Sequence, residues 1–123
     1  MSFSSEKIND VVVESVEISR ATFKEAEDFK KQLNQDIERG YLKIIVDLSK
    51  CAFIDSTFLS TIVTALKKVS KAGGNLKLAG VHSETQALLE LTGTAKVFEI
   101  YPSKELALKS FTLQSVSKPS KAS

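Results

Sequence analysis

The chain has 123 residues, room for one domain with a real hydrophobic core and too few for two ordinary ones. Apolar residues make up 42% and charged residues 26%, and 17 basic against 15 acidic residues leave a formal net charge of +2, so nothing in the balance calls for nucleic acid. A single cysteine excludes an internal disulfide, one Cys with one His excludes a zinc pattern, and no apolar run approaches membrane-spanning length.

In chain order, Val11-Val12-Val13 with Val16 and Ile18 reads as one bent strand or a short strand pair. The preceding Met1-Ser2-Phe3-Ser4-Ser5-Glu6 lacks the charged and apolar regions of a signal peptide, so a cytoplasmic protein is expected. Thr22-Phe23-Lys24-Glu25 is a capping box, and Phe23, Ala26, Phe29, Leu33 and Ile37 then recur at helical spacing up to Gly40. Leu42 to Leu48 is nearly continuous in apolar residues, the pattern of a strand covered on both faces. A second helix is expected from about Thr57 to Ala72, with Leu59, Ile62, Val63, Leu66 and Val69 as its apolar stripe, stopped by Gly73-Gly74. Leu76 and Leu78 alternate with lysine in the next strand, which runs to Ala79. Ser83-Glu84-Thr85-Gln86 reads as a second capping box, opening a short helix through Leu88, Leu89 and Leu91. Val97 to Tyr101 is a short strand, and Pro102-Ser103 opens a last helix through Leu106, Ala107 and Phe111. From Gln114 the chain is polar. The expected division is a domain over 1–113 and a disordered tail over 114–123. Alternating strands and helices predict an α/β fold with a small mixed, mainly parallel sheet and about four helices.

The chemistry concentrates after the second main strand. Ile44-Ile45-Val46-Asp47-Leu48 leads into Phe53-Ile54-Asp55-Ser56-Thr57, which places a carboxylate and two hydroxyls at a helix N-terminus beyond the end of a strand. The unpaired N–H groups and the dipole at that end can tolerate a phosphate on Ser56. The plainer reading is an N-cap, which Asp, Ser and Thr all supply. Phe58 either packs inward or stands as an exposed aromatic in a docking surface. Cys51 reads as buried and inert, and His82 as a solvated loop residue. A hydrolase pairing Ser56 with His82 has no support in the spacing, and Gly73-Gly74 precedes a strand, where a phosphate cradle is not found. An enzyme is not expected.

Ile45-Val46-Asp47-Leu48-Ser49, Phe53 to Leu59, Gly73 to Val81, Leu88-Leu89-Glu90-Leu91-Thr92-Gly93 and Ala107-Leu108 together resemble the STAS domain, in order and spacing from about Val11 to Phe111. The group they are most similar to is the stand-alone bacterial anti-sigma factor antagonists. The resemblance implies a cytoplasmic binding module that engages an anti-sigma factor with serine kinase activity and so releases a sigma factor. Phosphorylation of the serine after the motif aspartate would abolish binding, and a phosphatase would restore it. Carried onto this chain, the aspartate is Asp55 and the phosphorylated serine Ser56, with Thr57 the fallback. Asp55, Ser56, Thr57, Phe58 and Ser60 would form the partner-binding face. No cofactor is implied, because the nucleotide and its Mg²⁺ belong to the kinase. Oligomeric state stays open. Phe58 and Ser60 stand where the family usually has glycine, and Ile18-Ser19-Arg20-Ala21-Thr22 replaces its usual Gly-x-Leu/Phe-Asp loop. An alternative role that the resemblance allows is a STAS-type regulatory subunit of a lipid or anion transport system.

Overall fold

Strand formation begins earlier than the valine run. β1 (Phe3–Ile8) and β2 (Val11–Val16) pair as an antiparallel hairpin, Phe3 opposite Val16 and Ile8 opposite Val11. Asn9 sits in the turn at φ 57°, a conformation its short polar side chain tolerates. The four middle residues of β1 are exposed and polar, so no apolar alternation marks it. It is a strand because β2 offers it a hydrogen-bonding edge. The computed structural model describes residues 2–112, so the tail expected over 114–123 lies outside the described residues.

The remaining order is β3 (Arg20–Ala21), α1 (Phe23–Glu38), β4 (Lys43–Asp47), β5 (Phe53–Ile54), α2 (Ser56–Lys71), β6 (Asn75–Ala79), α3 (Ser83–Thr92), a 3₁₀ turn at Thr94–Lys96 and β7 (Glu99–Tyr101). A fourth helix, α4, covers residues 104–112. The main sheet runs β1-β2-β4-β6-β7, and every pairing after the hairpin is parallel. β3 and β5 form a separate parallel ribbon. This is the expected mixed, mainly parallel α/β architecture.

Because the parallel strands advance in one direction across the sheet, right-handed crossovers place α1, α2 and α3 on the same face. There Val12, Val16, Ile44, Val46, Leu76 and Leu78 meet Phe29 and Leu33 of α1, Ile62, Leu66 and Val69 of α2, and Leu89 of α3. The other face holds Val11, Val13, Ile45 and Ala79 under Ala107 and Phe111 of α4. β4 is thus covered on both sides, as its continuous apolar run requires. At its end α2 meets Gly73-Gly74: Gly73 has φ 89°, and a Cβ on Gly74 would strike the Leu42 carbonyl.

The lysine that alternates with Leu76 and Leu78 does not face solvent: Lys77 is fully buried beneath α4. Its Nζ donates to Ser110 Oγ at 2.7 Å, lies 3.2 Å from Glu99 Oε1 and sits 4.0 Å from the centre of the Phe111 ring. One local expectation changes: the second capping box, Ser83-Glu84-Thr85-Gln86, is not formed. His82, extended at φ −78° and ψ 162°, is the N-cap of α3, and Ser83 already lies within the helix. The His82 ring Nε2 is held 2.7 Å from the Ser49 carbonyl, and the His82 carbonyl accepts the Gln86 N–H at 2.8 Å, so the helix starts one residue early. Thr85 turns its hydroxyl to the Ala52 carbonyl instead of lying on an exposed first turn. Among the described residues no helix is long and apolar enough to cross a membrane.

Candidate functional site

Asp55 follows β5 and caps α2 from an extended backbone, with φ −93° and ψ 177°. Its Oδ1 accepts the Phe58 N–H at 2.9 Å, the N-cap bond expected of it. Its Oδ2 accepts the Phe23 N–H, also at 2.9 Å. One carboxylate therefore ties together the first turns of α1 and α2. The first turn of α1 is completed by its own capping box: Thr22 Oγ1 accepts from Lys24 N at 3.3 Å, and Glu25 Oε1 accepts from Thr22 N at 2.8 Å. Beneath the junction the β3–β5 ribbon fixes both chain entries, and Asp55 N donates to the Ala21 carbonyl.

On this base Ser56, Thr57 and Ser60 stand exposed on the outer side of α2. They face Phe23, Glu27 and Lys30 of α1 across an open groove of about 440 Å³. The sequence-expected Asp55, Ser56, Thr57 and Ser60 are thus brought together at one end of the molecule. Phe58 is not part of that face. It is fully buried, its ring stacked on Phe29 at 5.0 Å between centroids and lying 6.4 Å from Phe3. The expectation that Phe58 lines a docking surface is corrected. It shares the inward side of α2 with Leu59 and Ile62, and the end of β1 supplies a third ring to close the cluster.

The exposed aromatic of the site is Phe23, 65% accessible. The sequence pattern counted it in the apolar stripe of α1, yet the buried members are Ala26, Phe29, Leu33 and Asp36. Phe23 lies at the flank of that stripe in the first turn. The capping box was the available signal, since it fixes Phe23 as the first helical residue and so at the exposed end. On its other side a second groove is lined by Arg20, Lys24 and Phe53, with the Arg20 guanidinium 4.2 Å from the centre of the Phe53 ring.

The remaining candidates carry no chemistry here. Cys51 is buried, burial pushes its thiol up, and its Sγ donates to the Phe53 carbonyl at 3.3 Å. His82 is exposed and engaged with Ser49; no hydrogen bond joins it to Ser56 among the described residues. Among those residues no group of three His, Cys, Asp or Glu side chains is placed to hold a metal.

Comparison with known proteins adds four findings. The STAS domain model matches residues 6–107. A Thermotoga maritima protein provisionally described as an anti-sigma factor antagonist is 33% identical over 96 residues, which span 77% of this chain and 85% of that one. Among solved structures, a crystal structure of an anti-sigma factor antagonist, provisionally so named, from the same organism has a TM-score of 0.80 at 29% identity and covers 88% of this chain and 92% of that chain. The anti-sigma factor antagonist SpoIIAA in its unphosphorylated form also has a TM-score of 0.80, covering 89% and 96% of the two chains. Its 15% identity makes it a match of fold alone.

Proposed function

The chain belongs to the STAS domain family, and from that premise we propose that it acts as an anti-sigma factor antagonist switched off by phosphorylation of Ser56. The observation that carries the reading is the position of Ser56: an exposed hydroxyl at the first residue of α2, beside an exposed aromatic, at a helix end whose Asp55 carboxylate is already occupied. Asp55 holds the two helix ends in place. The docking face consists of Ser56, Thr57 and Ser60 with Phe23, the aromatic that takes the part expected of Phe58. The partner is an anti-sigma factor with serine kinase activity, and a phosphatase reverses the mark.

A phosphate on Ser56 brings roughly −1.5 to −2 charge and three acceptor oxygens. The α2 N-terminus tolerates that charge, so the fold keeps its shape. The docking face does not tolerate it, because a charge trapped in a dewatered interface costs several kcal/mol when unpaired. A loss of about 4 kcal/mol weakens binding about a thousandfold. The test is a pull-down from the native cell with phosphosite mass spectrometry on the bait, repeated with Ser56→Ala and Ser56→Asp. Capture of a kinase-type ATPase by wild type and Ser56→Ala, its loss with Ser56→Asp, and phosphate on Ser56 support the switch. Equal capture by both variants, or phosphate on Thr57 only, refutes Ser56 as its seat. Capture of a transporter component in place of a kinase refutes the antagonist role.

A further inference from the structure

Away from the Ser56 face, two carboxyl groups lie buried against each other between β2 and α1. Glu14 is 0% exposed and Asp36 1%. Glu14 shares the helix-covered side of β2 with Val12 and Val16, and its hydrogen-bonding contact with Asp36 crosses to the last turns of α1. Glu14 accepts from Ser5 Oγ of β1 at 2.7 Å and from Gln32 Nε2 of α1 at 3.3 Å. Gln32 Nε2 also donates to Ser5 Oγ at 2.7 Å. Asp36 Oδ2 is fully buried and has no donor.

Every element packed on the pair withholds a cation. From β1 come Ser5 and Lys7, and the Lys7 ammonium lies over the Tyr41 ring, 5.7 Å from its centre. β4 presents Ile44 and Val46, with Val46 in register with Glu14. α1 presents Gln32 and Asp36 themselves. No ion pair among the described residues includes either carboxyl. With both carboxyls ionised, Asp36 Oδ2 has no donor and two like charges share a buried site, whereas one proton turns the contact into an O–H···O bond and removes a buried charge.

We propose that the Glu14–Asp36 pair is a binding site for one proton, and that loss of this proton as pH rises loosens the seating of β1 and α1 on the sheet. The proton leaves from the carboxyl O–H to solvent base and leaves two carboxylates without a counter-ion. Burial above all, and then the Asp36 carboxyl beside it, push Glu14 up to about 8 from an ordinary value of 4.5. A group raised in the folded state contributes its stability in full below the unfolded value and loses it as pH rises through the folded one. The pair therefore stabilises the fold at pH 4.5 and below, progressively less up to about 8, and not beyond.

The experiment compares the full chain with Glu14→Gln, whose amide supplies the donor at every pH, by thermal melts from pH 5 to pH 9. Other titrating groups are common to both proteins, so the difference between the curves isolates the pair. Wild type should lose about 5 °C or more relative to Glu14→Gln across this window. The Glu14 side-chain carboxyl carbon, followed by NMR in wild type, should titrate with a midpoint near 8. Parallel melting curves, or a Glu14 midpoint near its ordinary value, would overturn the proposal. If Glu14→Gln does not fold, Asp36→Asn with the wild-type NMR titration answers the same question.

Discussion

The two ends of the polar inventory sit on opposite sides of the sheet. At the α1–α2 junction an aromatic ring, Phe23, is left in solvent beside three exposed hydroxyl residues. Under α4 a lysine, Lys77, is sealed in, its ammonium shared between Ser110, Glu99 and an aromatic face. Hydrophobicity would assign them the other way round. The difference lies in what lies over each residue. Among the described residues no helix covers the first turn of α1, so Phe23 keeps its exposure. α4 arrives over β6 carrying a hydroxyl and a phenyl ring, so Lys77 is desolvated and compensated together. An exposed apolar group flanked by free hydroxyls has the composition of a docking face, and a buried, satisfied cation has that of a structural lock.

Substitutions can break that contrast or sharpen it. The largest loss is expected from Phe58→Ala, which empties a fully buried site between Phe29 and Phe3: about 3–5 kcal/mol of stability, measured by urea unfolding. A loss under about 1 kcal/mol would mean that the ring is not in the core. Lys77→Ala should cost about 2–4 kcal/mol, since it empties a fully buried site and removes the contacts to Ser110 and Glu99, and Lys77→Met should recover much of it. If Lys77→Met is as damaging as Lys77→Ala, the ammonium outweighs the stem. Asp55→Ala should cost about 1–2 kcal/mol per helix end, and α1 and α2 should both lose amide-exchange protection in their first turns. Phe23→Ala should change stability by no more than about 0.5 kcal/mol while weakening partner capture at least tenfold. Unimpaired capture would remove Phe23 from the docking face.

What the sequence makes legible is whatever rests on local chemistry. The Thr22 cap, the α2 stripe and the doubly covered β4 are each written within a few turns of chain, and all appear where the pattern puts them. Asp55 and Ser56 are legible for the same reason, because a cap declares a helix end. What escapes is set by distant segments. β1 is polar over its four middle residues and becomes a strand through β2. Ser83 loses the cap of α3 to His82, which Ser49 of another loop holds. Phe58 and Phe23 exchange their expected places because β1 closes over one and, among the described residues, nothing closes over the other. Lys77 is buried by a helix far along the chain, the Ser110 bond spanning 33 positions.

The Asp55 bond to Phe23 N spans 32 residues, far more than the neighbouring bond to Phe58. Ser56 and Phe23 therefore come side by side only in a chain whose two halves have already docked. A nascent or damaged chain can display the serine peptide, but not the serine with its ring alongside. Under the proposed docking role, a partner that needs both would pass over such chains, and the interaction would act as a check on folding before it acts as a signal.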